Sequence, residues 1–114
     1  MSNGGALVWG PFGCEEDARA ASKALLDEGL IACANIIPGI ISIYEWNGER
    51  GEGREVGVLF KTHAAKVPLM TQRLAHLHSF DTPAIMHWDA SAHPAATLDW
   101  LEGLNTGGLG VGRD

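Results

Sequence analysis

From Leu30 to Trp46 the chain is apolar at almost every position, without the alternation that marks a strand exposed on one side. Leu30, Ala32 and Ile36 on one side are matched by Ile31, Cys33 and Ile37 on the other. Such a run predicts a central strand, beginning near Leu30 and buried on both faces. Pro38-Gly39 interrupts it, but the apolar pattern resumes at Ile40, so a bulge or bend is expected there. Asn47-Gly48 then signals a two-residue hairpin turn; an open loop from Asn47 to Arg54, with Gly51 and Gly53, is the alternative. In the return strand Val56, Val58 and Phe60 face one way, and Gly57, Leu59 and Lys61 the other.

The flanking segments alternate in period. Ala6 to Gly10 reads as a short strand closed by Gly10-Pro11 and Gly13. Glu15, Glu16 and Asp17 open a helix, where acids favour the macrodipole, and Ala18, Ala21, Ser22, Leu25 and Leu26 give it a buried stripe. Gly29 suits the position just past its end. Val67, Met70, Leu74 and Leu77 mark one face of a second helix, with Pro68 tolerated in its first turn. Phe80 to Pro83 turns the chain, Ala84 to Ala90 forms a last strand, and Leu98, Leu101 and Leu104 line a short helix after Pro94. The glycine-rich stretch 106–114 is expected to be a disordered tail.

The order β-α-β-β-α-β-α is an α+β, ferredoxin-like sandwich with one extra C-terminal helix, a single domain over residues 1–105. Its helices cover one face of the sheet, and the two-faced apolar strand leaves the other without cover from this chain. Length adds to the problem. At ~3.3 Å per residue, Asn35 to Trp46 spans about 40 Å, whereas a compact domain of this size is roughly 34 Å across. The end bearing Tyr44 and Trp46 therefore overhangs, and exposed aromatics on a strand tip call for a partner. An oligomer is expected.

Composition narrows the function. The 114 residues are 46% apolar, enough for a core without disulfides. The net charge of -6 and the eight scattered basic residues argue against nucleic acid as a partner. Cys14 and Cys33 are far apart and outside any C-x-x-C, as expected of reduced thiols. Met1 to Gly5 carries no signal-peptide pattern, and no apolar run reaches the ~20 residues of a membrane span, so a cytoplasmic, membrane-free protein is expected.

Chemistry-bearing motifs are sparse. The chain has no nucleophile elbow, Walker loop, H-E-x-x-H or G-x-G-x-x-G after a strand, so no enzyme is predicted. Acylphosphatases share the topology, but Gly10-Pro11-Phe12-Gly13 lacks the cation of their phosphate loop. His76 and His78, two apart on a helix, point away from each other, and His63, His87 and His93 lack ligand spacing. Cys33 reads as a small core residue, whereas Cys14 at a helix start is better placed to ionise, against Glu15 and Glu16.

The motif Leu30-Ile31-Ala32-Cys33-Ala34-Asn35-Ile36-Ile37-Pro38-Gly39, followed by Ser42, Tyr44, Trp46 and Gly48, closely resembles the CutA divalent-cation tolerance family. Lys61-Thr62, His78 with Pro83 and Ile85, and Leu98-Asp99-Trp100-Leu101 extend the resemblance over roughly residues 6 to 104. It implies a homotrimer whose long hairpins reach onto neighbours, and a role in copper and other divalent-metal tolerance without an agreed enzymatic activity. Asn35, Tyr44, Trp46, Glu55, Lys61 and His78 would then lie at the inter-subunit cleft, with interface packing as the other reading of Trp46. Lys61 would face an anion or a neighbour's Glu55, and His78 would face the cleft or serve as a helix-end cation. His78 and Cys14 are the candidate metal ligands, with divalent copper the metal the resemblance suggests. Gly10 stands where some members carry a Cys proposed to bind copper, Cys14 where an Asp is usual, Phe80 in place of a Tyr, and Ala84 where a Glu usually follows Pro83. Binding without turnover is the expected function. The alternative, from the similar architecture of P-II proteins, is a signalling module holding a small anion or nucleotide between subunits.

Overall fold

The computed structural model describes residues 2–106. Four strands and three helices follow in the order β1 (Gly5–Phe12), α1 (Glu15–Asp27), β2 (Cys33–Trp46), β3 (Glu49–His63), α2 (Val67–Leu77), β4 (Met86–Ala90) and α3 (Ala95–Glu102), with short 3-10 turns at Ala64–Lys66 and Gly103–Thr106. The strands form one antiparallel sheet in the order β2-β3-β1-β4, the ferredoxin-like arrangement. The expected tail lies outside the described residues apart from Thr106, which ends the last turn.

Alternation on β1 and β3 decides where the core sits. Val8 and Phe12 of β1 and Val56, Val58 and Phe60 of β3 are buried on one face, together with Ala18, Ala21 and Leu25 of α1 and Met70 and Leu74 of α2. Small alanines on α1 allow it to sit close to the sheet. The helix ends in a Schellman motif: Gly29, at φ 71°, donates to the Leu26 carbonyl at 3.0 Å, and Leu30 donates to Leu25 at 3.0 Å.

That cap corrects the expected course of the apolar run. Leu30, Ile31 and Ala32 precede β2 rather than open it, and β2 is an edge strand, not a central one. Leu30 and Ile31 both enter the main core, while Ala32 joins a second cluster with Ala92 and Leu101, against which Leu98, Trp100 and Leu104 pack. Three successive apolar residues are thus buried because a loop turns them in different directions, and the chain's own helices cover them. The backbone there is satisfied by long-range bonds: Ala32 donates to the Lys61 carbonyl at 2.9 Å, and the buried Thr62 hydroxyl donates to the Leu30 carbonyl at 2.8 Å.

β1 also outruns its expected end, continuing through Gly10-Pro11 to Phe12. In a strand a residue's N–H and C=O point the same way, and the Pro11 carbonyl is taken by a side chain, His78, rather than by β3. The proline nitrogen therefore also points to the β4 side, where pairing has already stopped at Trp9↔Met86, and no ladder bond is lost. The final strand is shorter than expected, starting at Met86, because Ile85 closes a tight turn on the Pro83 carbonyl at 2.9 Å.

The hairpin is confirmed over the open loop. Asn47 and Gly48 both take positive φ, 52° and 79°, as a two-residue primed turn requires, and Trp46 pairs with Glu49. The expected bulge is present: Ile37 pairs with Gly57 and Ile40 with Glu55, so β2 carries one extra residue at Pro38-Gly39, with Gly39 at φ 75°. The hairpin beyond it helps give the molecule its longest dimension, 46 Å against 29 and 23 Å.

Gly57 is a packing requirement: a β-carbon there would collide with the Trp9 ring and Ile40. Gly57→Ala is expected to cost about 1–3 kcal/mol through overpacking. Gly53→Ala, whose β-carbon would meet nothing within 4 Å, serves as the comparison. Urea unfolding of both variants at one protein concentration checks the difference.

Candidate functional site

Cross-strand partners share a face, so the ladder assigns every β2 side chain. Even-numbered β3 residues face the helices from Val56 to Thr62; odd-numbered ones face the opposite, helix-free side. Before the bulge, Cys33 and Asn35 pair with Lys61 and Leu59 on the helix-free side. After it, Ser42, Tyr44 and Trp46 pair with Gly53, Gly51 and Glu49 on that same side. Ile41 and Ile43, opposite Arg54 and Glu52, are turned to the back of the hairpin.

On the helix-free face a cleft of about 840 Å³ lies between the hairpin and the loop from α2 to β4. Trp9, Tyr44, Trp46 and Phe80 contribute its aromatic surface, and Glu55 and Asp81 its charge; Glu45 borders it with its side chain turned to the back of the hairpin, and among the described residues no Lys, Arg or His lines it. The Ser42 hydroxyl donates to Glu55 Oε1 at 2.5 Å, fixing that carboxylate. Glu45 is drawn towards Arg50, 3.2 Å away, in an exposed pair. The Tyr44 ring lies against its partner Gly51, where a β-carbon would stand 2.7 Å from the phenolic oxygen. Tyr44 and Trp46 remain 52% and 59% exposed.

The candidate residues separate into three places. Tyr44, Trp46 and Glu55 line the cleft. Asn35 and Lys61 share its face but sit on the far side of the bulge; Lys61 makes no ion pair among the described residues. His78 is elsewhere, buried at the C-terminal cap of α2. Its Nε2–H donates to the Pro11 carbonyl at 2.6 Å, and its Nδ1 accepts the Phe80 N–H at 3.0 Å. A carbonyl on one nitrogen and an N–H on the other require the neutral Nε2–H tautomer. The ring stacks on Phe12 at a centroid distance of 4.4 Å. Both nitrogens are occupied, and the bonding partner is a strand carbonyl rather than the end of its own helix.

Cys14 is exposed at the N-cap of α1 and makes no capping bond, and Cys33 is only half-buried on the helix-free face rather than a core residue. Among the described residues, no group of three or more His, Cys, Asp or Glu side chains is placed to hold a metal ion. Ala84 lines the cleft, so a carboxylate at this position would have entered it. Gly10 does not: a β-carbon there would lie 3.5 Å from Leu74 and 3.6 Å from Phe60, inside the helix-covered core. Trp9, Phe80 and Asp81 were missed by the sequence reading. Trp9 was accessible in principle, since it alternates with the core residues Val8 and Gly10; the loop residues carry no periodic signal.

The sequence model of the family described as CutA1 divalent ion tolerance protein matches residues 6–103. The chain belongs to that family. It is 42% identical over 93 residues to the divalent-cation tolerance protein CutA of Thermus thermophilus, covering 82% of this chain and 89% of that one. Against mouse Protein CutA it is 33% identical over 87 residues, 76% of this chain but only 49% of the relative's length. Among solved structures, CutA1 from Ehrlichia chaffeensis superposes with a TM-score of 0.82 at 32% identity, covering 89% of this chain and 94% of that one. A CutA from Archaeoglobus fulgidus, described as periplasmic, gives 0.82 at 27% identity, covering 88% and 97%. The CutA1 fold thus accounts for nearly all of the described chain. Among the described residues no helix is long and apolar enough to cross a membrane.

The bonds of His78 make it a structural residue. His78→Ala is expected to cost on the order of 3 kcal/mol, since it leaves Pro11 O and Phe80 N–H unpaired and removes a ring stack. His76→Ala, at an exposed position, is expected to change stability by less than about 0.5 kcal/mol. Chemical denaturation of the two variants measures the contrast.

Proposed function

We propose that this CutA1-family chain works as a homotrimer in tolerance of divalent cations, copper among them, by binding and not by turnover. The observation that carries the trimer is the projecting hairpin, apolar on both sides. Tyr44 and Trp46 lie on the front, while Ile41 and Ile43 on the back are 60% and 70% exposed. A two-fold dimer buries one self-complementary patch, whereas a closed ring of copies covers front and back with different neighbours. The outer edge of β2 pairs with no strand among the described residues, which adds a further reason for association. Lys61 is then the cation available to a neighbour's Glu55.

Binding rather than turnover is supported by the engagement of His78 with Pro11 and Phe80, which removes it as a general base. Within one chain the cleft presents the carboxylates of Glu55 and Asp81 and, among the described residues, no Lys, Arg or His, which favours the cation reading over the P-II-like alternative. The two free cysteines fit a reducing cytoplasm, the compartment we propose.

Light scattering on tag-free protein is expected to give three times the 12.1 kDa chain mass. Ile43→Glu and Trp46→Glu, on opposite sides of the hairpin, should each shift the population toward monomer. Calorimetric titration with copper tests the metal part of the reading; no heat at micromolar metal removes copper from it while leaving the trimer standing.

A further inference from the structure

We infer that His78 is an acid-sensitive latch: a second proton on its ring frees the loop over residues 79–84 while the ring itself stays on β1. This goes beyond tolerance of cations. The bonds involved are made within one chain, beside Phe12 of the helix-covered core, so a copy covering the helix-free face neither supplies nor removes them.

The two sides of the latch respond oppositely to charge. On one side Nε2–H donates to the Pro11 carbonyl at 2.6 Å, and the Phe12 ring lies 4.4 Å away, 18° from parallel. Both contacts strengthen when the ring becomes a cation: the hydrogen bond becomes charge-assisted, and the aromatic face attracts positive charge. On the other side the Nδ1 lone pair accepts the Phe80 N–H at 3.0 Å. A proton taken up there turns the acceptor into a donor, and two N–H groups then face each other. The bond breaks at the loop and not at β1.

Little else holds that loop. Among the described residues, the Phe80 amide makes the one hydrogen bond tying residues 79–84 to the rest of the chain, since the Ile85 N–H closes on Pro83 inside the same turn. Phe80, Asp81, Thr82 and Ala84 form one wall of the cleft, so the latch sets the order of that wall. Other titratable and charged groups lie on the elements around the ring. They are Cys14, Glu15, Glu16 and Asp17 at the start of α1, Arg54 beyond Val56 on β3, Arg73 and His76 on α2, and Asp81 in the loop. None is hydrogen-bonded or ion-paired to the ring, which leaves its own two nitrogens to decide the response.

The test is nuclear magnetic resonance of the full chain in its own assembly, between about pH 8 and about pH 5, the span in which histidines change charge. The ring nitrogen signals of His78 are expected to pass from the neutral Nε2–H form to the doubly protonated form. Over the same span, exchange at the Phe80 amide should accelerate at least about tenfold relative to its intrinsic rate at each pH, as loss of one hydrogen bond implies. The His78 amide, which donates to the Leu74 carbonyl at 3.0 Å, should keep its protection and so separate loop release from fraying of α2. In His78→Asn the side-chain carbonyl accepts the Phe80 N–H as in an Asx turn, and protection there should no longer depend on pH. A wild-type ring that stays neutral at about pH 5 overturns the proposal, whether or not the variant folds. So does a charged ring with Phe80 protection unchanged, an equal loss at the His78 and Phe80 amides, or the same pH dependence in His78→Asn.

Discussion

One extra residue in β2 organises this molecule. Side chains on a strand alternate with a period of two, so a single inserted residue reverses every assignment beyond it. Ile37 and Ile40 therefore lie on the same face although three positions apart, and Ser42, Tyr44 and Trp46 follow them. Without the insertion Ile41 and Ile43 would point into the cleft, and the aromatics would sit on the back with the arginines. Gly39 supplies the positive φ that the irregularity uses, and Pro38 lies where pairing is already broken.

Two glycines carry the consequence of that parity into packing. The Trp9 ring and Ile40 occupy the space a side chain on Gly57 would need, and Tyr44 does the same at Gly51. Large side chains thus lie across the sheet rather than standing away from it, and aromatic surface lines the cleft. The charge on its walls comes separately, from Glu55 of β3 and from Asp81 of a loop distant in sequence. The helix-covered face takes no part in this, which is why Gly10 and His78 belong to the core and not to the cleft.

Features with local physical causes were legible in the sequence. Asn47-Gly48 specified its turn, Gly29 its helix end, Pro38-Gly39 its bulge, and Val67, Met70 and Leu74 their buried stripe. Long-range causes were not. Leu30-Ile31-Ala32 reads as strand because burial alone was visible, whereas the Schellman cap and the bond from Ala32 to Lys61 decide its course. His78 looked free because its partner is a carbonyl 67 positions away. Of the residues lining the cleft within one chain, Tyr44 and Trp46 share a face by alternation and the resemblance places them, with Glu55, between subunits, whereas Phe80 and Asp81 come from a loop whose path depends on tertiary contacts.

Pro11 has an effect out of proportion to its size. Lacking an N–H and with its oxygen committed to His78, it gives the outer flank of β1 nothing with which to extend a ladder. β4 accordingly departs at Met86, and the chain leading into it passes outward through Phe80, Asp81 and Ala84 instead of zipping down the sheet. The cavity exists where strand pairing was refused: a terminated edge has become the second wall of a receptacle.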